Sequence, residues 1–383
     1  MKNIDENVIW LGWISFFTDM ASSMITTLLP IFVVYVLKEG VDKLGIVIAV
    51  ATFISYAFRV LFGYLSDRLH IVKPFVVLGY LISAVTKPLL AFSNTYISVA
   101  LLRGIERMGK AVRSAPKDSL LSSYVKNKQH GKTFGFHKMM DVAGEMSGAL
   151  VIIAIFIFID RGESTIRNIF EWTLLPGTIA VFIAIFFLKD VPYTQKNNTS
   201  VFNKKDLKLF PMLFIYFGFI FFILSDQFFI LRLKQSGYSL YTIPIFVILL
   251  NFTQTVSSYY SGILSDKIGT KKSIFIAFVF GMSSVFMLYI GIFWAGFIFL
   301  GLFTIISLNS IRSYISRYAI SKGFIYGVFY GGVAVFGSLG ALAIGIIWSR
   351  FGFRNAIIFS EIGMSILLIS LMALKLNNVI KHQ

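Results

Sequence analysis

Between Arg103 and Glu145 the chain reads R-G-I-E-R-M-G-K-A-V-R-S-A-P-K-D and then, from Gly131, G-K-T-F-G-F-H-K-M-M-D-V-A-G-E; both ends of this stretch lie inside apolar runs long enough to cross a bilayer. At about 100° per residue, Arg103, Glu106, Arg107, Lys110 and Arg113 fall within roughly a third of a helix circumference. His137, Asp141, Gly144, Glu145 and Gly148 share one face of the following helix in the same way. Ionisable groups at membrane depth are costly, so they normally turn inward, pair with one another and mark a pathway. A plain ion-pair clamp between two helices accounts for some members, Arg113 above all. It accounts poorly for the whole face, because cations outnumber what a clamp needs.

The surrounding composition points the same way. Of 383 residues, 57% are hydrophobic and 14% charged, against about 25% charged in a soluble protein. Recurrent apolar runs near twenty residues predict twelve spans, at about 8–37, 44–65, 73–93, 95–115, 133–159, 169–188, 209–233, 240–263, 272–291, 293–316, 324–349 and 354–375. The first run is too long for a signal core, so it is expected as a retained helix. There is no cysteine, which excludes disulfides and thiolate sites. The net charge of +17 would suggest nucleic-acid binding in a soluble chain. Here nineteen of the 35 Lys and Arg fall in loops on the side of the termini and eight on the other, which is a topology signal. No nucleic-acid partner is expected, and both termini are expected in the cytoplasm.

The halves repeat. G-Y-L-S-D-R from Gly63 recurs as G-I-L-S-D-K from Gly262, and Arg113 and Arg312 stand 199 positions apart. The stretch ending at Leu150 is echoed by G-V-F-Y-G-G-V-A-V-F-G-S-L-G-A-L ending at Leu342, with Phe329, Val333 and Gly337 where the first copy has His137, Asp141 and Glu145. The polar segment Lys189 to Asp206 is the natural linker. The expectation is an all-α integral membrane protein of two six-helix parallel-repeat halves, 1–188 and 207–383, joined by a cytoplasmic linker at 189–206.

These motifs resemble the major facilitator superfamily of secondary transporters over nearly the whole chain. Gly63, Leu65, Ser66, Asp67 and Arg68 match the first half of its signature between the second and third spans; His70, Ile71 and Val72 replace later positions, leaving Lys73. The second copy keeps Gly262, Leu264, Ser265, Asp266, Lys267, Gly269, Lys271 and Lys272. The resemblance implies a cytoplasmic gate in which Asp67 and Asp266, with Arg68 and Lys267, pair with basic residues such as Arg113 or Arg312. Arg103, Glu106 and Gly109 resemble the R-x-x-[QD]-G-x-G motif linked to proton movement, with Arg107 at its first glycine. Gly144 and Gly148 resemble an antiporter motif, with Ala149 in place of proline. More narrowly, Thr18 to Ile25, Lys87 to Leu90, Arg107 to Asp118, Phe134 to Asp141, and Ser225, Asp226 and Arg232 resemble a bacterial subgroup with few functional assignments. Ser23 stands where that subgroup has a glutamate.

The expected substrate and proton pathway comprises Asp19, Arg59, Lys87, Arg103, Glu106, Arg107, Lys110, His137, Asp141, Glu145 and Asp226. Arg59 could instead snorkel toward the cytoplasm, and Asp226 lies near the outer end of its span. Consecutive antiparallel spans would bring Arg103 or Arg107 near Asp141 or Glu145. The implied function is a multi-pass secondary transporter of the bacterial inner membrane, monomeric, moving a small anionic organic solute with protons by alternating access. A proton-driven exporter of drugs or siderophores and a non-transporting membrane sensor are the alternatives. No zinc spacing, phosphate loop or hydrolytic constellation is legible, so no metal, cofactor or enzymatic activity is expected.

Overall fold

All regular structure among the described residues of the computed structural model is helical; these are residues 5–69, 72–124, 130–159, 162–190 and 203–374. Asp5 opens α1 (Glu6–Ile31) by accepting from Asn7 N at 2.9 Å, the usual means of satisfying a free N–H at a helix start. Pro30 near its end is followed by a π-helical turn, Phe32–Val36. Then come α2 (Val41–Leu69), α3 (Lys73–Leu89) with a 3-10 turn Leu90–Phe92, α4 (Tyr96–Ser123) and α5 (His130–Phe158). Thr95 and Ser98 form a capping box on α4. The sixth span is α6 (Thr165–Trp172) joined at Thr173 to α7 (Leu174–Phe186). The second half runs through a 3-10 turn Lys204–Leu209, α8 (Phe210–Phe222), α9 (Asp226–Gln235), α10 (Ile243–Ile268), α11 (Thr270–Ile290), α12 (Phe293–Tyr318), α13 (Lys322–Phe351) and α14 (Phe353–Ala373).

Every expected span overlies one of these helices or a broken pair of them. Among the described residues ten spans are long and apolar enough to cross a membrane, and the apolar part of α10, Ile243–Ser258, makes an eleventh. The twelfth is α4, which carries too much charge to register as apolar. It also runs past residue 115, where the apolar pattern stops, to Ser123 through a buried Pro116. The seventh span, expected as one helix, is interrupted at 223–225 between α8 and α9. Non-helical backbone at such depth is tolerated only inside protein or beside water, and Leu224 is fully buried.

The chain divides into two units, Met1–Lys196 with Leu233–Ile248, and Asn197–Arg232 with Leu249–Gln383. The hairpin between the seventh and eighth spans thus groups with the first unit, where Lys234 Nζ pairs with Glu163 at 3.3 Å. In that unit α1 packs against α5, and α2 and α3 against α4, with α7 closing on α1 and α3. In the second, α8 packs on α13 and α14, and α11 on α12 and α14.

Small residues set the tightest of these contacts, as is usual where lipid removes the hydrophobic drive between helices. A Cβ on Gly144 would lie 2.2 Å from Phe16 O, and one on Gly148 2.4 Å from Met20 O. In the second unit a Cβ on Gly340, the repeat counterpart of Gly148, would lie 2.1 Å from Phe221 O. Both units thus bring their first and fifth spans into backbone contact.

A second device also recurs. Lys73 Nζ, at the start of the third span, donates to Ile185 O near the end of the sixth at 3.0 Å. Lys271 Nζ, at the start of the ninth, donates to Met372 O at 3.0 Å and Leu374 O at 2.7 Å at the end of the twelfth. Each satisfies carbonyls that a helix leaves open at its C-terminus. The two ends of the linker region are tied as well. Lys189 N donates to Asn7 Oδ1 at 3.2 Å and Tyr124 OH donates to Lys189 O, while Asp206 accepts from Ile320 N and Ser321 N, both at 2.8 Å. The intervening 191–202, most of the expected linker, lies outside the described residues.

Candidate functional site: a two-sided charged cavity in the first unit

The charges of α4 do not act as one face toward α5; they divide into two groups along the helix. The deeper group is Arg103, Glu106 and Arg107. Arg103 Nη1 donates to Glu106 Oε2 at 2.9 Å, and Arg107 Nε lies 3.2 Å from the same oxygen. Arg103, Glu106 and Lys87 of α3 have no solvent exposure, and Lys87 Nζ donates to Thr18 O of α1 at 3.0 Å. The expected approach of Arg103 or Arg107 to Asp141 or Glu145 is therefore replaced by pairing with Glu106 on α4 itself. The i,i+3 spacing puts Arg103 within reach of Glu106 before any neighbouring helix is involved.

One turn further along, α3 and α4 touch through glycine. A Cβ on Gly109 would lie 2.7 Å from Gly79 O, and one on Gly79 would lie 2.6 Å from both Gly109 O and Arg113 Cβ. That approach seats Arg113 on α3. Its Nη1 donates to Ser83 Oγ at 2.6 Å and Gly79 O at 3.2 Å, and its guanidinium lies 4.6 Å from the Tyr80 ring centroid. From Tyr80 a polar chain crosses to α1 and α5. Tyr80 OH is 3.4 Å from Ser15 Oγ, Ser15 Oγ is 3.0 Å from His137 Nε2, and His137 Nδ1 is 3.4 Å from Asp141 Oδ1.

This chain borders a cavity of about 110 Å³ lined by Ser15, Thr18 and Asp19 of α1, Tyr80 of α3, Lys110, Arg113, Ser114 and Lys117 of α4, and Lys138, Asp141 and Glu145 of α5. Of the residues expected in the pathway, Asp19, Lys110, Asp141 and Glu145 line it, and His137 stands behind Ser15. Lys87, Arg103 and Glu106 form a buried group, with the half-buried Arg107 against it. Arg59 is elsewhere: its Nη2 meets the exposed Asp118 at 3.4 Å, between α2 and α4. Asp226 begins α9 in the second unit.

Of the expected gate, Arg113 is held by α3 and lines the cavity. Arg312 is held by α13, its Nη2 3.2 Å from Tyr330 OH, while Tyr326 OH donates to its carbonyl at 3.2 Å. Arg68 and Lys267 are exposed near the ends of α2 and α10. The side chains of Asp67 and Asp266 lie outside the described residues.

Sequence reasoning missed Lys117 and Lys138 as lining residues, along with Ser15, Tyr80 and Ser114. Lys117 carries a legible signal: it follows Lys110 by seven and Arg113 by four, on the same face. Ending the span at residue 115 placed it in a loop instead.

A family model described as Major Facilitator Superfamily matches residues 11–341. An uncharacterised MFS-type transporter of Methanocaldococcus jannaschii is 32% identical over 296 residues, covering 74% of this chain and 72% of its own. The fold resembles that of the nucleoside transporter NupG, at TM-score 0.79 and 13% identity over 96% of this chain and 99% of that one. It also resembles a D-xylose-proton symporter, at TM-score 0.69 and 14% identity over 95% of each chain. With a family match spanning most of its helices and a relative of this similarity, the chain belongs to the major facilitator superfamily.

Proposed function

We propose that this member of the superfamily is a secondary active transporter, not an enzyme, that moves a small organic solute bearing an anionic group and couples its movement to protons. The observation that carries the reading is the cavity of the first unit. Lys110, Arg113 and Lys117 project from α4 into a space that also holds Asp19, Asp141 and Glu145. Cations there attract an anionic group, and carboxylates at membrane depth are suited to taking up and releasing a proton. A solute anion competing with the acids for those cations would link its binding to their protonation without direct contact. The two six-helix halves, 1–188 and 207–383, would move by alternating access about the linker, with both termini on the cytoplasmic side of a bacterial inner membrane. The transporter is proposed to act as a monomer.

The test is counterflow in proteoliposomes against small carboxylates, phosphates, neutral sugars, nucleosides and cationic drugs. Exchange of anion-bearing solutes, weakened in Lys110→Gln, is expected. Exchange of neutral sugars alone would overturn the anion reading, preference for cationic drugs would favour an exporter, and ligand binding without exchange would favour a sensor.

A further inference from the structure

The two sides of the cavity carry opposite charge. Within the first unit α3 packs with α4 and α1 with α5. Among the described residues, the α3–α4 side contributes Lys110, Arg113 and Lys117 and no acid, and the α1–α5 side contributes Asp19, Asp141 and Glu145, with Lys138 as its one cation. Among the described residues no ion pair joins the sides: Arg113 is engaged with Gly79 and Ser83 on α3, and Asp141 stands against His137 on its own helix.

Lys110 faces Asp19 and Lys117 faces Asp141 across the cavity without an ion pair closing it, so a solute that enters the space is met by cations on one side and carboxylates on the other. A solute with only an anionic group would satisfy the α4 side and meet three carboxylates on the other. A solute with only a cationic group would do the reverse. We propose that the solute is a small zwitterion, its carboxylate or other acid group toward Lys110, Arg113 and Lys117 and its ammonium toward Asp19, Asp141 and Glu145. This inference rests on the transporter reading above and narrows its substrate class.

Size and lining agree. About 110 Å³ is somewhat less than the ~150 Å³ cavity that takes a benzene, so the occupant is of amino-acid dimensions. Among the described residues Tyr80 is the one aromatic in the lining, and its ring is covered by Arg113. Recognition therefore comes from the solute's two poles and not from an apolar body stacked on a ring.

The experiment compares three probes of similar bulk on the purified full-length protein: β-alanine, butyrate and pentylamine. Binding is followed by calorimetry and by the shift in melting temperature that a ligand of the folded state produces. β-Alanine is expected to bind at least about tenfold more tightly than either of the others. Glu145→Gln is expected to remove that advantage over butyrate, and Lys110→Gln the advantage over pentylamine. Should a variant fail to fold, the three-probe comparison on the parent still decides. Butyrate binding as tightly as β-alanine would overturn the zwitterion while leaving the anion transporter standing. Pentylamine binding most tightly would overturn both. Binding by none of the three would overturn this inference, and the counterflow screen would judge the transporter reading separately.

Discussion

Lys87 Nζ donates to the carbonyl of Thr18 at 3.0 Å and has no exposure to solvent, so a buried amino group ties α3 to α1 inside the first unit. Burying an ammonium carries a desolvation cost that one carbonyl offsets only in part, and an apolar residue of similar volume often does as well or better for stability. Lys87→Met is therefore expected to leave the melting temperature unchanged or raised while counterflow falls by about tenfold or more, since charges kept at such cost mark function. A clear loss of thermal stability would show instead that Lys87 is a structural tie.

The glycine contacts give a second prediction with its own control. A methyl at Gly148 or Gly340 would meet backbone oxygen that cannot swing aside. Gly148→Ala and Gly340→Ala should each destabilise by about 1–3 kcal/mol, the usual range for overpacking. Gly135, on the same helix as Gly148, has open space where its Cβ would stand. Gly135→Ala should stabilise by about 0.5–1 kcal/mol through helix propensity alone. Denaturation of the three variants side by side checks the contrast.

Asp141 lies on the acidic side of the cavity, 3.4 Å from His137. If it carries the coupling proton, Asp141→Asn will abolish the pH dependence of gradient-driven uptake, while counterflow weakens through loss of one contact to the solute's ammonium but persists. Uptake that keeps its pH dependence in a folded variant would show that the coupling proton sits elsewhere.

Asp206 is buried and accepts two backbone N–H groups from the α12–α13 turn. Asp206→Ala strands both donors and should cost about 1–3 kcal/mol. Limited proteolysis should show the turn at 319–321 cut faster in the variant. Equal cutting rates would show that the turn holds itself.

The chain has no cysteine, so Ser200→Cys supplies a unique label in the linker. With cytoplasmic termini, a membrane-impermeant maleimide should react with it only after cells are opened. Labelling of intact cells would reverse the orientation.

The spans were legible because a bilayer imposes length and apolarity on each of them, and the parallel repeat because Gly148 and Gly340 do the same steric work at equivalent positions. The charged face of α4 was legible as a face. Its partners were not. Helical angle says which way Arg103 points, but not that Glu106 one turn away will engage it before α5 can. Arg59 shows a similar limit, since a long side chain can reach an exposed acid such as Asp118 on a neighbouring helix. The interruption at 223–225 carried only the weak signal of Ser225 and Asp226 within an otherwise apolar stretch; Gly340 and Gly363, whose added Cβ atoms would meet Phe221 and Phe222, bring neighbours close from distant parts of the chain. Lys117 was lost to a boundary set by apolarity, although its spacing belonged to the helix.

The lysines that fasten the third span to the sixth, and the ninth to the twelfth, bear on what the two signature copies share. His70, Ile71 and Val72 occupy its later positions, yet Lys73 remains, and Lys73 is the residue whose ammonium reaches Ile185 O. Lys271 does the same work in the fuller copy. A motif read as a lock between halves thus contains a buckle within each half. Removing Lys73 would strip a donor from the last turn of the sixth span whatever becomes of the lock, so its effect should be read in the stability of that turn as well as in gating.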